Sequence, residues 1–394
     1  MAKKLLYLAA ILREIAREWG RIGCLGFGGP PAHIAMLRRL CVDRRGWLTA
    51  EEFEHAIAAC NLLPGPASTQ LALFCAWRVA GPAGALVGGA AFIAPGLLAV
   101  LALASVFLAP HPPRWVLGAG AGAGATVAAV AVQAGLALAP SSLAHSLGGA
   151  RRVRWALYAI FGVFAAALLG AWLVLVLLGC GLVELALRRS TLTTLSAALG
   201  LPRVPRLPLT LASVGAGGLG ALAWTSLKVG ALSYGGGFVI VPLMRADAVH
   251  VYHWMTSSQF LDAVALGQVT PGPVTHTVAV VGYAAHGLGG GLLAALVAFA
   301  PSFAFILLGA RHFEGLRGDP RARAFLDGAG PAAIGAIVGS AIPLALTLTE
   351  GWQVAVLGAA AVALLGLRRS VPLTIVAASL AGVALVLAGA PLPG

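Results

Sequence analysis

Acidic side chains are scarce in this 394-residue chain: 13 Asp and Glu stand against 26 Lys and Arg, and charged residues make up only 10% of the total. Soluble domains carry about a quarter. A chain this poor in charge cannot cover its perimeter with water-facing groups, which excludes an ordinary soluble globule. The sparse carboxylates also exclude a di-metal carboxylate centre. There is no Gly-x-x-x-x-Gly-Lys-Ser/Thr loop, so ATP drive is not encoded here. His-Glu-x-x-His and Gly-x-Ser-x-Gly are absent as well, and no enzyme constellation stands out. The five cysteines, Cys24, Cys41, Cys60, Cys75 and Cys180, are odd in number and contain no Cys-x-x-Cys. They read as small buried residues, with no disulfide, metal or cofactor indicated. A cleavable leader is not expected either. Arg13, Glu14, Arg17 and Glu18 interrupt what would be its apolar core, and the stretch reads as an amphipathic helix, interfacial at its start.

What the chain has in abundance is apolar surface. Hydrophobic residues are 59% of it and the mean hydropathy is +0.92. Lipid must therefore cover most of the molecule, and the class is an all-α integral membrane protein. The 52 Gly and 23 Pro lie inside apolar segments. There, small residues let helices pack closely and Gly and Pro interrupt helices. The basic excess is mostly what positive-inside anchoring requires, and the remainder suits an anionic cargo. Nucleic acid is not an expected partner, because the Arg residues fall in twos and threes between apolar runs.

The chain is duplicated. Residue n placed over residue n+207 aligns without a gap from Gly23 to Pro66. Gly28-Gly29 meets Gly235-Gly236, Arg38 meets Arg245, Trp47 meets Trp254, Thr49 meets Thr256, Phe53 meets Phe260, and Pro64-Gly65-Pro66 meets Pro271-Gly272-Pro273. Chance would not hold one offset through a Trp and a Pro-Gly-Pro triplet. The expected organisation is a first copy over 1–187, a linker over 188–208 rich in Arg and Pro, and a second copy over 209–394.

Long apolar segments run at about 84–108, 118–139, 153–169 and 171–187, then at about 211–234, 289–310, 325–348, 352–367 and 371–390. With 5–29 as the counterpart of 211–234, each copy has about five spans of roughly 20 residues, about ten in all. An odd number per copy inserts the second copy upside down, giving two inverted-topology repeats. Arg38, Arg39, Arg44 and Arg45 then share a side with Arg151, Arg152, Arg154, Arg188, Arg189, Arg368 and Arg369, and that side is cytoplasmic. Lys3 and Lys4 break this pattern.

Two pairs of interruptions carry the chemistry. Phe27-Gly28-Gly29-Pro30 precedes His33 in the first copy, and Tyr234-Gly235-Gly236-Gly237 holds the same place in the second. A broken membrane helix frees backbone N–H groups, and the half-helix that follows presents them, with its positive dipole end, to an anion. The alternative is that the glycines only permit close packing. Pro64-Gly65-Pro66 and Pro271-Gly272-Pro273 each separate two apolar stretches too short to span, near 53–80 and 260–286. These read as re-entrant hairpins with tips inside the membrane, or else as surface turns between spans. Asn61, Ser68, Thr69 and Gln70 cluster at the first tip, and Gln268, Thr270, Thr275, His276 and Thr277 at the second. Amide and hydroxyl donors suit an oxyanion that only accepts hydrogen bonds; helix-to-helix hydrogen bonding is the plainer account. Arg38, Arg245, Lys228, Arg21, Arg78, His33 and His276 are candidates to neutralise a buried dianion, with interfacial anchoring as the competing role for the arginines. Glu52, Glu54 and Asp262 are candidate coupling carboxylates, or exposed loop residues.

In order and spacing these residues resemble the chromate ion transporter family. Phe27-Gly28-Gly29-Pro30, Ala32-His33-Ile34, Trp47-Leu48 and Leu63-Pro64-Gly65-Pro66 resemble its N-terminal half. Val241-Pro242-Leu243, Trp254-Met255-Thr256, Phe260-Leu261-Asp262, Leu266-Gly267-Gln268 and Thr270-Pro271-Gly272-Pro273 resemble its C-terminal half, in the two-domain, long-chain form. Where the family pattern places an acidic residue near 40–43, this chain has Cys41 and Asp43. The resemblance implies a secondary transporter in the plasma (inner) membrane that exports chromate from the cytoplasm and confers resistance to it. A carrier of sulfate or another oxyanion, and a channel-like anion pore, are the alternatives. The expected partners are the oxyanion and the lipid bilayer, with a homodimer left open. The substrate is expected between the Gly-Gly breaks and Pro-Gly-Pro tips of both copies.

Overall fold

The computed structural model describes residues 2–63, 65–144, 149–169, 173–196, 218–233, 239–310 and 319–393. Those residues form helices and turns, with no strand among them. Four helices are long and apolar enough to cross a bilayer: Ala67–Phe107, Arg114–Ala144, Val274–Gly309 and Pro320–Ala345. Leu219–Leu232, Gly351–Gly366 and Val371–Leu387 are shorter and also apolar. The chain is an all-α membrane protein.

Helix α1 (Ala2–Leu25) buries Ile15, Trp19 and Ile22 against α4 (Ala67–Phe107). The two glutamates of α1 are paired. Arg44 Nη2 donates to Glu18 Oε1 at 2.5 Å and Arg45 pairs with Glu14, so the turn after α2 (Pro30–Arg38) clasps α1.

The duplication in sequence is a duplication of local structure. Beyond α2 and beyond α10 (Ile240–Arg245) the backbone widens into one π-helical turn, at Arg39–Arg44 and Ala246–Val251. Trp47 N donates to Cys41 O, and Trp254 N to Ala248 O, each at 2.8 Å. Thr49 then caps α3 (Ala50–Leu62) with Glu52 reaching back, and Thr256 caps α11 (Ser257–Val269) with Gln259. These reciprocal capping boxes use the side chains at N-cap and N3 to satisfy helix N–H groups that have no intrahelical acceptor.

Beyond the tips lie α4 and its counterpart α12 (Thr277–Gly309). A straight helix of 41 residues, the length of α4, would run about 60 Å, twice a hydrocarbon core of roughly 30 Å. Both helices break. Ala80–Gly81 and His286–Gly287 leave helical geometry, with φ of 61° at each glycine. These breaks fall where the expected re-entrant arms end and the expected spans begin.

Around α4 and α12 sit α5 (Arg114–Ala125), α6 (Val127–Ala144), α7 (Gly149–Phe164), α8 (Leu173–Ser196), α9 (Leu219–Leu232), α13 (Pro320–Ala345), α14 (Gly351–Ala361) and α15 (Val371–Leu387). α1 packs on α4, α9 packs on α12, and α4 packs on α12. α13 lies among α6, α7 and α8. Small residues set the spacing there: a Cβ added at Gly335 would come 1.8 Å from Ala159 O. The expected linker begins inside α8, which continues to Ser196; the rest of it, from 197 to 208, lies outside the described residues.

Candidate functional site

Each Pro-Gly-Pro tip lies against an element of the other copy. At the second tip, Gly272 N donates to Gly26 O, the last buried carbonyl before the Gly28-Gly29 break, at 3.0 Å. His33 Nε2 donates to the same oxygen at 2.9 Å. Pro271 O presses so closely on α4 that a Cβ at Gly96 would stand 2.0 Å from it. A Cβ at Gly272 would come within 2.8 Å of the His276 ring. The rings of His33 and His276 thus flank one backbone hydrogen bond between the copies. His33 also stands edge-on to Phe92, and His276 edge-on to Phe299.

The first tip repeats the arrangement on the other side. A Cβ at Gly65 would lie 2.6 Å from Gln70 Nε2, 3.2 Å from Ser302 Oγ and 3.4 Å from Gly230 O. Gly230 lies in the last turn of α9, and Ser302 belongs to α12. Both tip glycines have positive φ, 121° at Gly65 and 98° at Gly272, a conformation that L side chains rarely adopt.

Several polar groups on the surrounding segments are fully buried and unpartnered. Thr69 Oγ1, Ser233 Oγ, Thr275 Oγ1, Ser302 Oγ and His33 Nδ1 have no hydrogen-bond partner. The His276 nitrogens lie near the Ile93 and Pro271 carbonyls without reaching hydrogen-bond geometry. Buried polar groups are ordinarily paired, because an unpaired one costs about 1–3 kcal/mol. The hydroxyls among them can donate to a guest rich in acceptor oxygens.

Gly28 is exposed, Gly29 and Pro30 are half-buried, and both glycines have positive φ, so they shape the break while Gly26 and His33 face inward. Pro66 is buried, as is Pro273, which precedes the tight turn Val274–His276. Thr270 Oγ1 is occupied by Leu266 O at 2.9 Å, while Gln268 Nε2 has no hydrogen-bond partner. Arg38 and Arg245 do not share an environment. Arg38 is exposed and paired with Glu54 at 2.8 Å. Arg245 is partly buried, its Nε unpaired, on a cavity of ≈170 Å³ with His250 and Ser340. Lys228 Nζ donates to buried Asp247 at 2.5 Å, and Thr225 Oγ1 donates to the same carboxylate at 2.8 Å. Pro64, Gly235, Gly236 and Gly237 lie outside the described residues, as does the side chain of Asn61.

Ser233, Ser302, Gly26, Gly96 and Asp247 are not singled out by motif reading. A signal for two of them exists: Ala94-Pro95-Gly96 and Ala300-Pro301-Ser302 stand 206 residues apart, one step off the 207 register. The register slips because the second copy is one residue shorter between its tip and the kink in its long helix, 272–287 against 65–81.

Apolar helices interrupted at matching positions, with each Pro-Gly-Pro turn packed on the other copy beside buried polar side chains, are the mark of a membrane transport protein. The chain belongs to the chromate transporter family, whose pattern matches residues 13–185 and 220–384. A chromate transport protein of Cupriavidus metallidurans is 31% identical over 388 residues, covering 94% of this chain and 92% of its own. A second from Pseudomonas aeruginosa is 32% identical over 382 residues, covering 92% and 89%. A probable chromate transport protein of Synechococcus elongatus is 29% identical over 385, covering 94% and 95%. No solved structure matches the chain.

Proposed function

We propose that this protein is a secondary transporter that exports chromate from the cytoplasm across the plasma membrane and so confers chromate resistance. In this reading two oppositely inserted copies, 1–187 and 209–394, supply about ten spans, and the oxyanion binds where each tip meets the other copy. The carrying observation is the bond from Gly272 N to Gly26 O, flanked by the His33 and His276 rings, with the buried, unpartnered hydroxyls of Thr69, Ser233, Thr275 and Ser302 on the segments that pack at the two tips. The matched turns and capping boxes 207 residues apart support two copies of one unit, and the names of the relatives support the substrate. Arg245, unpaired beside its cavity, is the cation best placed to draw a dianion in.

Purified protein in liposomes tests the reading, with the proton gradient and the voltage imposed separately. Saturable chromate flux that follows one of them is expected. Preference for sulfate over chromate in competition would reassign the substrate, and fast flux without any gradient would make the protein a pore. Gly65→Leu should abolish the flux with protein still in the membrane, because the added side chain would fill the space held by Gln70 and Ser302. Normal flux in that variant would move the site elsewhere.

A further inference from the structure

We propose that Asp262 is a proton-binding site that couples the second hairpin to a proton gradient. The idea rests on the transport reading for its purpose and on separate geometry for its location. Asp262 sits on α11, eight residues before Thr270 at the tip, a helical rise of about 12 Å. Its carboxylate lies flat against α5. A Cβ at Gly120 would come 2.8 Å from Oδ2 and 2.9 Å from Oδ1, and one at Gly124 3.4 Å from Oδ1. Bare helical backbone has its N–H groups committed to its own ladder, so this wall offers the carboxylate no donor. Oδ1 is buried and has no hydrogen-bond partner.

The side chain lines a cavity of ≈90 Å³ formed with Leu103 and Phe107 of α4, Gly120 and Ala123 of α5, and Ile375 and Ser379 of α15. Ser379 is the only other polar residue there, and its hydroxyl donates to Ile375 O at 3.0 Å. Among the described residues, no ionisable group of the packed elements reaches this lining. α4 carries Cys75 and Arg78, α5 carries Arg114, and α12 carries Tyr283 and His286. α10 and the turn after it carry Arg245, Asp247 and His250, and the short turn Val274–His276 carries His276 at the tip, which does not line this cavity; α6 and α15 carry none. An ionised carboxylate in such a place costs many kcal/mol. A metal cation would need several oxygen ligands, and the cavity wall supplies no set of them. A proton needs one: an O–H bond forms on Asp262 from one side of the membrane and is broken toward the other. Neutral Asp262 rests against α5, charged Asp262 does not, so proton occupancy biases the position of the tip. The first copy has His55 at the equivalent place, on the surface 3.7 Å from Glu51, so there is one such site per chain.

Infrared difference spectra of the lipid-embedded protein between acid and alkaline pH test the site without substrate. The wild type should show a protonated-carboxyl band that Asp262→Asn lacks; identical spectra overturn the proposal. In proteoliposomes, Asp262→Asn should reduce the response of chromate flux to an imposed pH gradient at least tenfold while chromate–chromate exchange persists, and Asp262→Glu should restore part of the response. An undiminished gradient response in Asp262→Asn, or wild-type flux driven by sodium alone, overturns it. Exchange lost with the gradient response and not recovered by Asp262→Glu assigns a structural role and overturns it too. If the infrared band belongs to Asp262 but the wild type moves no chromate, the proton site stands and the substrate assignment fails.

Discussion

Gly272 and Gly389 share a backbone conformation, φ 98° and 100°, but not a neighbourhood. That pairing separates strain from function. A non-glycine residue in this sparsely populated region costs of order 1–3 kcal/mol, and Ala returns about 0.4–1 kcal/mol by restricting the unfolded chain. Both Gly272→Ala and Gly389→Ala incur that net cost. Around Gly389 a Cβ meets nothing within 4 Å. At Gly272 it meets His276 Cε1 at 2.8 Å and Nδ1 at 3.3 Å, so ring and tip must part by several tenths of an ångström. The 3.0 Å bond to Gly26 O is then strained or lost. That bond is worth about 0.5–1.5 kcal/mol net, and displacing His276 adds to the loss; 1.4 kcal/mol corresponds to about tenfold in binding. Gly272→Ala should therefore lower chromate transport about tenfold or more at unchanged membrane abundance, and Gly389→Ala should keep it within about twofold. Flux into liposomes, with protein quantified by immunoblot, measures both. Equal transport by the two variants would refute the placement of the substrate at the second tip.

Glu184, 3% exposed, accepts from Arg154 Nε at 2.8 Å, Arg188 Nε at 3.0 Å and Tyr158 Oη at 3.1 Å. Glu184→Gln leaves part-exposed Arg154 without its anion while Arg188 keeps Asp327 at 2.6 Å, a loss of about 1–3 kcal/mol, to be seen as a fall in the melting temperature of the purified protein. His253 has φ 52°, where its counterpart in the first copy is Gly46 with φ 61°. His253→Gly relieves a left-handed penalty of about 1–2 kcal/mol against about 0.4–1 kcal/mol of added chain freedom. It should raise the melting temperature slightly without changing flux.

Much of this architecture is legible along the chain because it is written in local terms. A membrane environment follows from 10% charge and 59% hydrophobic residues. The duplicated turn follows from Trp and Thr at one offset, and the tips follow from Pro-Gly-Pro, since backbone breaks in lipid require those residue types. Repeat register was a weaker guide to side-chain roles. Arg38 and Arg245 occupy the same position, yet Arg38 is taken up by Glu54, whose counterpart is Leu261, and Arg245 is left unpaired. Asp262 likewise stands where the first copy has His55.

The solvent, the helical class, the repeat and the places where helices must break can all be read from the residues alone, because each depends on composition or on residues close in the chain. Three-dimensional packing alone brings the second tip to Gly26 and Gly96 of the first copy, the first tip to Gly230 and Ser302 of the second, and Asp262 to bare glycine backbone. Those contacts join residues far apart in the chain. They depend on how closely small residues let helices cross, a property of two surfaces together that neither segment carries alone.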